Sequence, residues 1–172
     1  MTLRKVITVP HPTLRKRARK VTDFGPKLQT LIDDMVDTMR AEPGVGLAAP
    51  QVNIPLRVIV VEFGDEEDET VPPRLYRVVN PEIVRTSRET VVGTEGCLSI
   101  PGIVGDVERY ETVTVKGLNR YGKPMKLKAK GWLARIFQHE IDHTNGILFT
   151  DRASEIWHLD SEQQAEQVTA AD

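Results

Sequence analysis

A single cysteine, Cys97, occurs in 172 residues, so no disulfide can form within the chain. Its packing alone must hold the fold, as in proteins of a reducing compartment. Nor does any apolar run approach the ~20 residues needed to cross a bilayer, and the basic start lacks the apolar stretch of a secretory signal. Both absences lead to the expectation of a cytoplasmic protein with no membrane partner. A strong charge imbalance is missing too: the net charge is -2, too small to point to a specific nucleic acid as the main partner. What is present, 40% hydrophobic and 28% charged residues, is the make-up of a globular protein long enough to bury a core. One domain over residues 1–172 is expected, with a basic N-terminal arm over 1–20 and a polar C-terminal segment over 152–172.

Lys5 and then Arg15, Lys16, Arg17, Arg19 and Lys20 make the arm basic, a pattern of solvated surface or of phosphate contact. Leu28, Leu31, Ile32, Met35, Val36 and Met39 follow helical spacing with Lys27, Asp33, Asp34 and Asp37 between them, which predicts an amphipathic helix ending near Glu42-Pro43-Gly44. Leu56 to Phe63 is apolar on both faces, the pattern of an interior strand. An acidic loop at 65–69 follows, read as mobile surface. Arg77 to Val84 and Thr90 to Val92 predict strands, and Thr112 to Lys116 with Met125 to Lys130 predict a hairpin around Asn119-Arg120-Tyr121-Gly122. Helix, strands and helix in this order predict an α+β fold, antiparallel or mixed strands packed around a buried helix.

That helix carries the densest chemical pattern in the chain. Trp132, Leu133, Ile136, Phe137 and Ile141 give it an apolar face and Asn145-Gly146 a C-terminal stop. Within it, His139-Glu140-Ile141-Asp142-His143 places two imidazoles on one helical face, able to hold one metal ion. Glu140, one position along, can exchange a proton with a water at that ion. Two histidines leave an ion underbound, since catalytic sites commonly use three protein ligands. Glu162, Glu155 and His158 lie downstream; Cys97 lies upstream, where Gly96 permits a tight backbone and a thiolate suits a divalent ion. Gly44-Val45-Gly46-Leu47-Ala48-Ala49-Pro50-Gln51 combines glycines and small residues with a terminal amide, so a substrate can approach its backbone while Gln51 donates a hydrogen bond. It imitates a dinucleotide fingerprint, but a helix precedes it where a strand is required and Pro50 interrupts it.

In order and wording, Gly44 to Gln51, Glu95 to Ser99 and Gln138 to Gly146 resemble the three signature segments of peptide deformylases. The resemblance extends to Asn80-Pro81, Ile100-Pro101-Gly102 and Gly117-Leu118-Asn119, covering roughly residues 3 to 152. It implies a single catalytic domain that hydrolyses the formyl group of N-formylmethionyl peptides and releases formate, with nascent chains as partners and a transient ribosome contact. Cys97, His139 and His143 are implied as metal ligands and Glu140 as general acid and base. Gln51 and the backbone N–H of Leu98 are implied to face the carbonyl oxygen. The implied cofactor is one divalent ion, ferrous iron in cells, replaceable by zinc, nickel or cobalt.

Further expectations concern the surroundings. Val45, Gly46, Trp132, Leu133 and Ile136 are expected around the substrate, with Arg135 at the rim, where it meets peptide carbonyls. Glu95 needs a cation if buried, and Arg109 is the family-matched choice. Gln138 and Asp142 flank the ligands and are expected to hydrogen-bond around them, with an exposed helical face as the alternative for Asp142. The alternative function is a zinc endopeptidase that draws its third ligand from a downstream glutamate.

Overall fold

The computed structural model describes residues 2–65 and 67–160. Glu66, within the acidic loop, and the C-terminal segment from residue 161, which includes Glu162, lie outside the described residues. The elements, in chain order, are α1 (Pro26–Ala41), β1 (Gly46–Ala48), β2 (Val58–Phe63), β3 (Arg74–Thr86), β4 (Thr90–Cys97), β5 (Ile100–Tyr110), β6 (Thr112–Leu118), β7 (Pro124–Lys130), α2 (Gly131–Thr144), α3 (Phe149–Arg152) and β8 (Ala153–His158).

The apolar series from Leu28 to Met39 is buried along one side of α1. Strand β2 explains how that helix relates to α2. Successive side chains of a strand point to opposite faces, and here Val58 and Val60 pack with α1, whereas Ile59 and Val61 pack with Ala134, Ile136, Phe137 and Ile141 of α2. The unbroken apolar run is therefore a strand covered by a helix on each side. It belongs to an antiparallel five-stranded sheet in the order β1-β2-β3-β6-β7. Lys116, Lys126, Lys128 and Lys130 stand on the exposed face of its β6–β7 hairpin while Val115, Leu127 and Ala129 turn inward, the one-sided wetting expected for that hairpin.

A second, three-stranded antiparallel sheet has the order β4-β5-β8. Here the sequence reading needs correction. Strand β4 runs on from Thr90 to Cys97, and β5 was not anticipated. Residues Ala153–His158, taken as part of a polar tail, form β8 and pair with Ile103 to Val107. The basic arm is irregular apart from a short 3-10 turn over Pro12–Arg15, yet it is not merely solvated: Thr13, Leu14 and Ala18 are buried. No helix among the described residues is long and apolar enough to cross a membrane.

Candidate metal centre

Alternation along β4 puts Gly93, Glu95 and Cys97 on the face turned toward α2. Helical spacing puts Arg135, His139 and His143 on one side of α2. Two strand residues advance ~6.7 Å and four helical residues ~6 Å, so the two series run in step. Cys97, His139 and His143 are buried, and their ligand atoms all lie within 4.8 Å of one another. Bonds of ~2.0–2.3 Å to one tetrahedral ion would separate such atoms by ~3.3–3.8 Å, and Cys97 Sγ and His143 Nε2 are already 3.4 Å apart. The soft thiolate and two imidazoles are a donor set for zinc or ferrous iron. A further sign of fit is that His143 turns Nε2 toward Cys97 Sγ while His139 gives its Nδ1 to Glu95, the carboxylate contact usual for a ligating imidazole. The residues present thus fit a divalent ion.

Around these atoms the polar groups interlock. His139 donates from Nδ1 to Glu95 at 2.9 Å, which fixes the ring and leaves Nε2 for the cluster. Arg109 grips Glu95 with two nitrogens at 2.9 Å each and extends a third to Asp142 at 2.7 Å. Arg152, from α3, holds the same Asp142 at 2.6 and 3.0 Å. Burial opposes ionisation of Glu95, but the hydrogen bonds from Arg109 and His139 hold its carboxyl far below the usual range. Burial likewise opposes charge on His139, yet Cys97 and Glu95 raise its pKa well above the ordinary value. At His143 burial, joined by the His139 and Arg109 charges, pushes the pKa well down. A bound cation would replace the proton that the site draws onto His139, so metal uptake is coupled to proton release.

Glu140 is buried, and its carboxylate lies against Gly46 of β1 so closely that a Cβ there would meet Oε2 at 2.5 Å. Gln51 is also buried. Its Oε1 accepts from Ala48 N at 3.0 Å, and its Nε2 points to Ser99 Oγ at 3.1 Å and Cys97 Sγ at 3.6 Å. Ser99, which sequence reasoning passed over, thereby aims the amide; only its place beside Cys97 hinted at this. Leu98 and Val45 are half-buried nearby, and Val45, Trp132 and Leu133 border the α2 cluster that contains Ile136. Gln138 is buried and clasps the backbone N–H and carbonyl of Tyr110 at 3.0 and 2.9 Å. Asp142 is buried between arginines, which removes the exposed-face alternative.

The expected place of Arg135 is wrong. It is 4% exposed and donates to Glu95 at 2.7 Å, to Val107 O at 2.8 Å and to Val91 O at 2.6 Å. A cation with a buried carboxylate to neutralise gains more inside than at a rim, and Gly93 leaves the room for it. The rival third ligands do not come together with the histidines. Glu155 and His158 are exposed on β8, and Glu162 lies outside the described residues.

Comparison with known proteins agrees with this geometry. The polypeptide deformylase family pattern matches residues 3–158. The peptide deformylase of Symbiobacterium thermophilum is 48% identical over 167 residues, covering 97% of this chain and 74% of that protein. The peptide deformylase of Dehalococcoides mccartyi strain CBDB1 is 45% identical, covering 98% and 93%. Among solved structures, peptide deformylase from Thermotoga maritima superposes with a TM-score of 0.83 at 41% identity, covering 90% of this chain and all of that one. A class I type b peptide deformylase from Acinetobacter baumannii, solved with Met-Ala-Ser bound, gives 0.81 at 40% identity, covering 88% and 98%. The chain belongs to the polypeptide deformylase family, metal-dependent hydrolases of N-formyl groups.

Proposed function

We propose that this chain hydrolyses the formyl group of N-formylmethionyl peptides at the Cys97, His139 and His143 centre, with Glu140 as the proton carrier. The supporting observation is the convergence of a thiol from β4 and two imidazoles from α2 beside one buried carboxylate. A divalent ion held by those three residues would supply Lewis acidity, polarising the formyl group and acidifying water near neutral pH.

The chain's own residues account for the rest. Water oxygen adds to the formyl carbon while Glu140 takes its proton; the C–N bond then breaks, and Glu140 returns the proton to the departing amine nitrogen. Proton transfer of this kind is worth ~10²–10⁴ in rate. The Gln51 amide and the Leu98 N–H face the formyl oxygen as it gains charge, each such donor contributing ~10²–10³. Ala48 and Ser99 hold Gln51 at Oε1 and at one N–H, and the other N–H, which lies toward Cys97 Sγ at 3.6 Å, is the donor for the formyl oxygen. Burial of Glu140 excludes competing water.

Val45, Gly46, Trp132, Leu133 and Ile136 form the proposed walls for the methionine side chain. Met-Ala-Ser, bound by the Acinetobacter relative, is the peptide that deformylation of formyl-Met-Ala-Ser would leave. An apolar pocket distinguishes side chains by only ~1–3 kcal/mol per methylene, so leucine analogues are expected to react slowly. We assign ferrous iron as the native metal, a cytoplasmic location, one catalytic domain, and a transient ribosome contact that brings nascent chains to the site.

Formate release from formyl-Met-Ala-Ser tests the assignment. The parent should release formate and Glu140→Ala should lose ~10²–10⁴ of the rate. Equal rates would remove Glu140 from its role. Preparation without oxygen should raise activity, since ferrous iron and a thiolate both oxidise; unchanged activity with zinc alone bound would refute iron.

A further inference from the structure

We propose that Arg135 is a positioning residue of the metal centre, acting through Glu95 on His139, and that Gly93 is the position that lets it do so. The inference rests on the ligand assignment above. In sequence Arg135 stands amid apolar residues of α2, and its role comes from the packing of that helix against β4.

The two elements meet as a ladder. At one end Cys97 of β4 faces His143 and His139. In the middle Glu95 accepts from His139. At the far end Gly93 faces Arg135, which reaches back to Glu95. Arg135 is one turn before His139 and two before His143, so a displacement of its head is transmitted to the carboxylate that orients the first of them.

Three features make this geometry stiff. The guanidinium is tied to carbonyls on two strands, Val91 O of β4 and Val107 O of β5, as well as to Glu95. Trp132 lies over it, with 5.4 Å between Cζ and the ring centroid. Gly93 approaches as well: a Cβ there would meet Cζ at 2.8 Å and both Nε and Nη2 at 3.0 Å. The head therefore packs against both an indole and a bare backbone, and a side chain at 93 would press it away from its 2.7 Å contact with Glu95. Arg109 also holds Glu95, from β5 and through both oxygens, sharing Oε2 with Arg135. Arg109 sets the plane of the carboxylate through its paired contacts, and Arg135 anchors that carboxylate to the helix that carries His139, so that the acceptor and the ring it orients are held in register.

The experiment uses the full chain loaded with cobalt(II), whose visible absorption reports coordination. Release to excess chelator and steady-state kinetics on formyl-Met-Ala-Ser are measured for Arg135→Met, Arg135→Lys, Gly93→Ala, the Gly93→Ala/Arg135→Met pair and Cys97→Ser. Loss of a partner behind a ligand costs ~10–100-fold in metal affinity. Arg135→Met should therefore release cobalt about tenfold faster with a shifted spectrum, and lower kcat without changing KM. Arg135→Lys should recover part of the loss through its single contact to Glu95. Gly93→Ala should move the same readouts in the same direction and add nothing in the Arg135→Met background. Parental spectrum and release in a folded Arg135→Met protein would overturn the proposal. Should that variant not fold, Gly93→Ala decides alone, and parental behaviour there overturns it equally. Cobalt retained by Cys97→Ser would instead show that the ligand assignment itself has failed.

Discussion

Replacing Gly46 by alanine adds one methyl group and should cost this enzyme about two orders of magnitude in turnover. A Cβ at 46 would stand 2.5 Å from Oε2 of Glu140 and 2.9 Å from its Cδ and Cγ. Ordinary carbon contacts begin near ~3.5 Å, so the carboxylate would have to retreat by about 1 Å. Its retreat is restricted, because Glu140 is 2% exposed and its helix packs against the same sheet that carries Gly46. A misplacement of that size costs about 10²-fold in rate, equivalent to roughly 2.7 kcal/mol at 1.36 kcal/mol per decade. This stays within the ~10²–10⁴ attributed to proton transfer as a whole.

Formate release from formyl-Met-Ala-Ser should show kcat lowered in Gly46→Ala. Metal content should be parental, since the added methyl points at none of Cys97, His139 and His143. The same substitution in a Glu140→Ala background should have little further effect, because the group it displaces is already gone. A Gly46→Ala enzyme within threefold of the parent would refute the reasoning, as would a full additional loss in the double variant. The latter would mean that Gly46 acts by letting substrate approach its backbone, the role first expected for it.

Three other perturbations test the surrounding structure. Glu95→Ala leaves Arg109 and Arg135 buried without their shared carboxylate, and breaking a buried pair from one side costs about 3–5 kcal/mol; urea midpoints should fall accordingly, and a loss below 1 kcal/mol would contradict the burial. Metal removal should lower thermal stability: an ion present at a thousandfold over its dissociation constant contributes about 4 kcal/mol, or roughly 8–16 °C in a domain of this size, and an unchanged melting temperature would show that the three ligands do not hold it. At Asp151, burial opposes ionisation, but hydrogen bonds from Arg15 and from the Leu148 N–H lower its pKa below 3.8. A depressed folded pKa stabilises above the unfolded value and ceases to do so as pH falls through the folded one, so Asp151→Asn should weaken the protein at neutral pH and converge with the parent in acid; a gap that widened in acid would reverse the assignment.

The parts of the fold legible in the sequence are those with one strong period. Leu28 to Met39 repeats at helical spacing and becomes α1; Val58 to Val61 is apolar throughout because β2 is buried on both faces. The parts that were not legible belong to the second sheet. Strand β5 contains Pro101, Gly102 and Gly105, residues with poor strand preference, and it is held because β4 and β8 pair with it from both sides. Gly105 allows β8 to come close: a Cβ there would meet the Glu155 carbonyl at 2.8 Å. In β8 the large apolar residues Ile156 and Trp157 are 52% and 37% exposed, so no buried face marks the strand. Pairing partners distant in sequence decided these elements, and local preference could not report them.

The site divides along the same line. Residues that must contact an ion or a reacting proton carry their chemistry in their type, so His139, Glu140 and His143 stand out from the helix alone, whereas Cys97 is one of four candidates by type and is assigned by the family resemblance. Residues that hold those groups are chosen for charge balance, which depends on what lies opposite after folding. Asp142 sits one position from a ligand, yet its partners Arg109 and Arg152 come from β5 and α3. Arg135 looks misplaced in an apolar stretch until Glu95 is opposite it. Two buried guanidinium groups, Arg109 and Arg135, thus enclose two carboxylates in the layer behind His139, and Arg152 closes it from the solvent side. Each of the buried ions alone would cost several kcal/mol to desolvate, so the buried part of the layer is stable only when complete. Completeness also confers precision, because a carboxylate held from several sides cannot rotate to follow thermal motion of the ring it orients. The layer therefore sets the geometry of the centre, and conservative changes within it, Arg to Lys above all, should disturb the metal site more than their distance from it suggests.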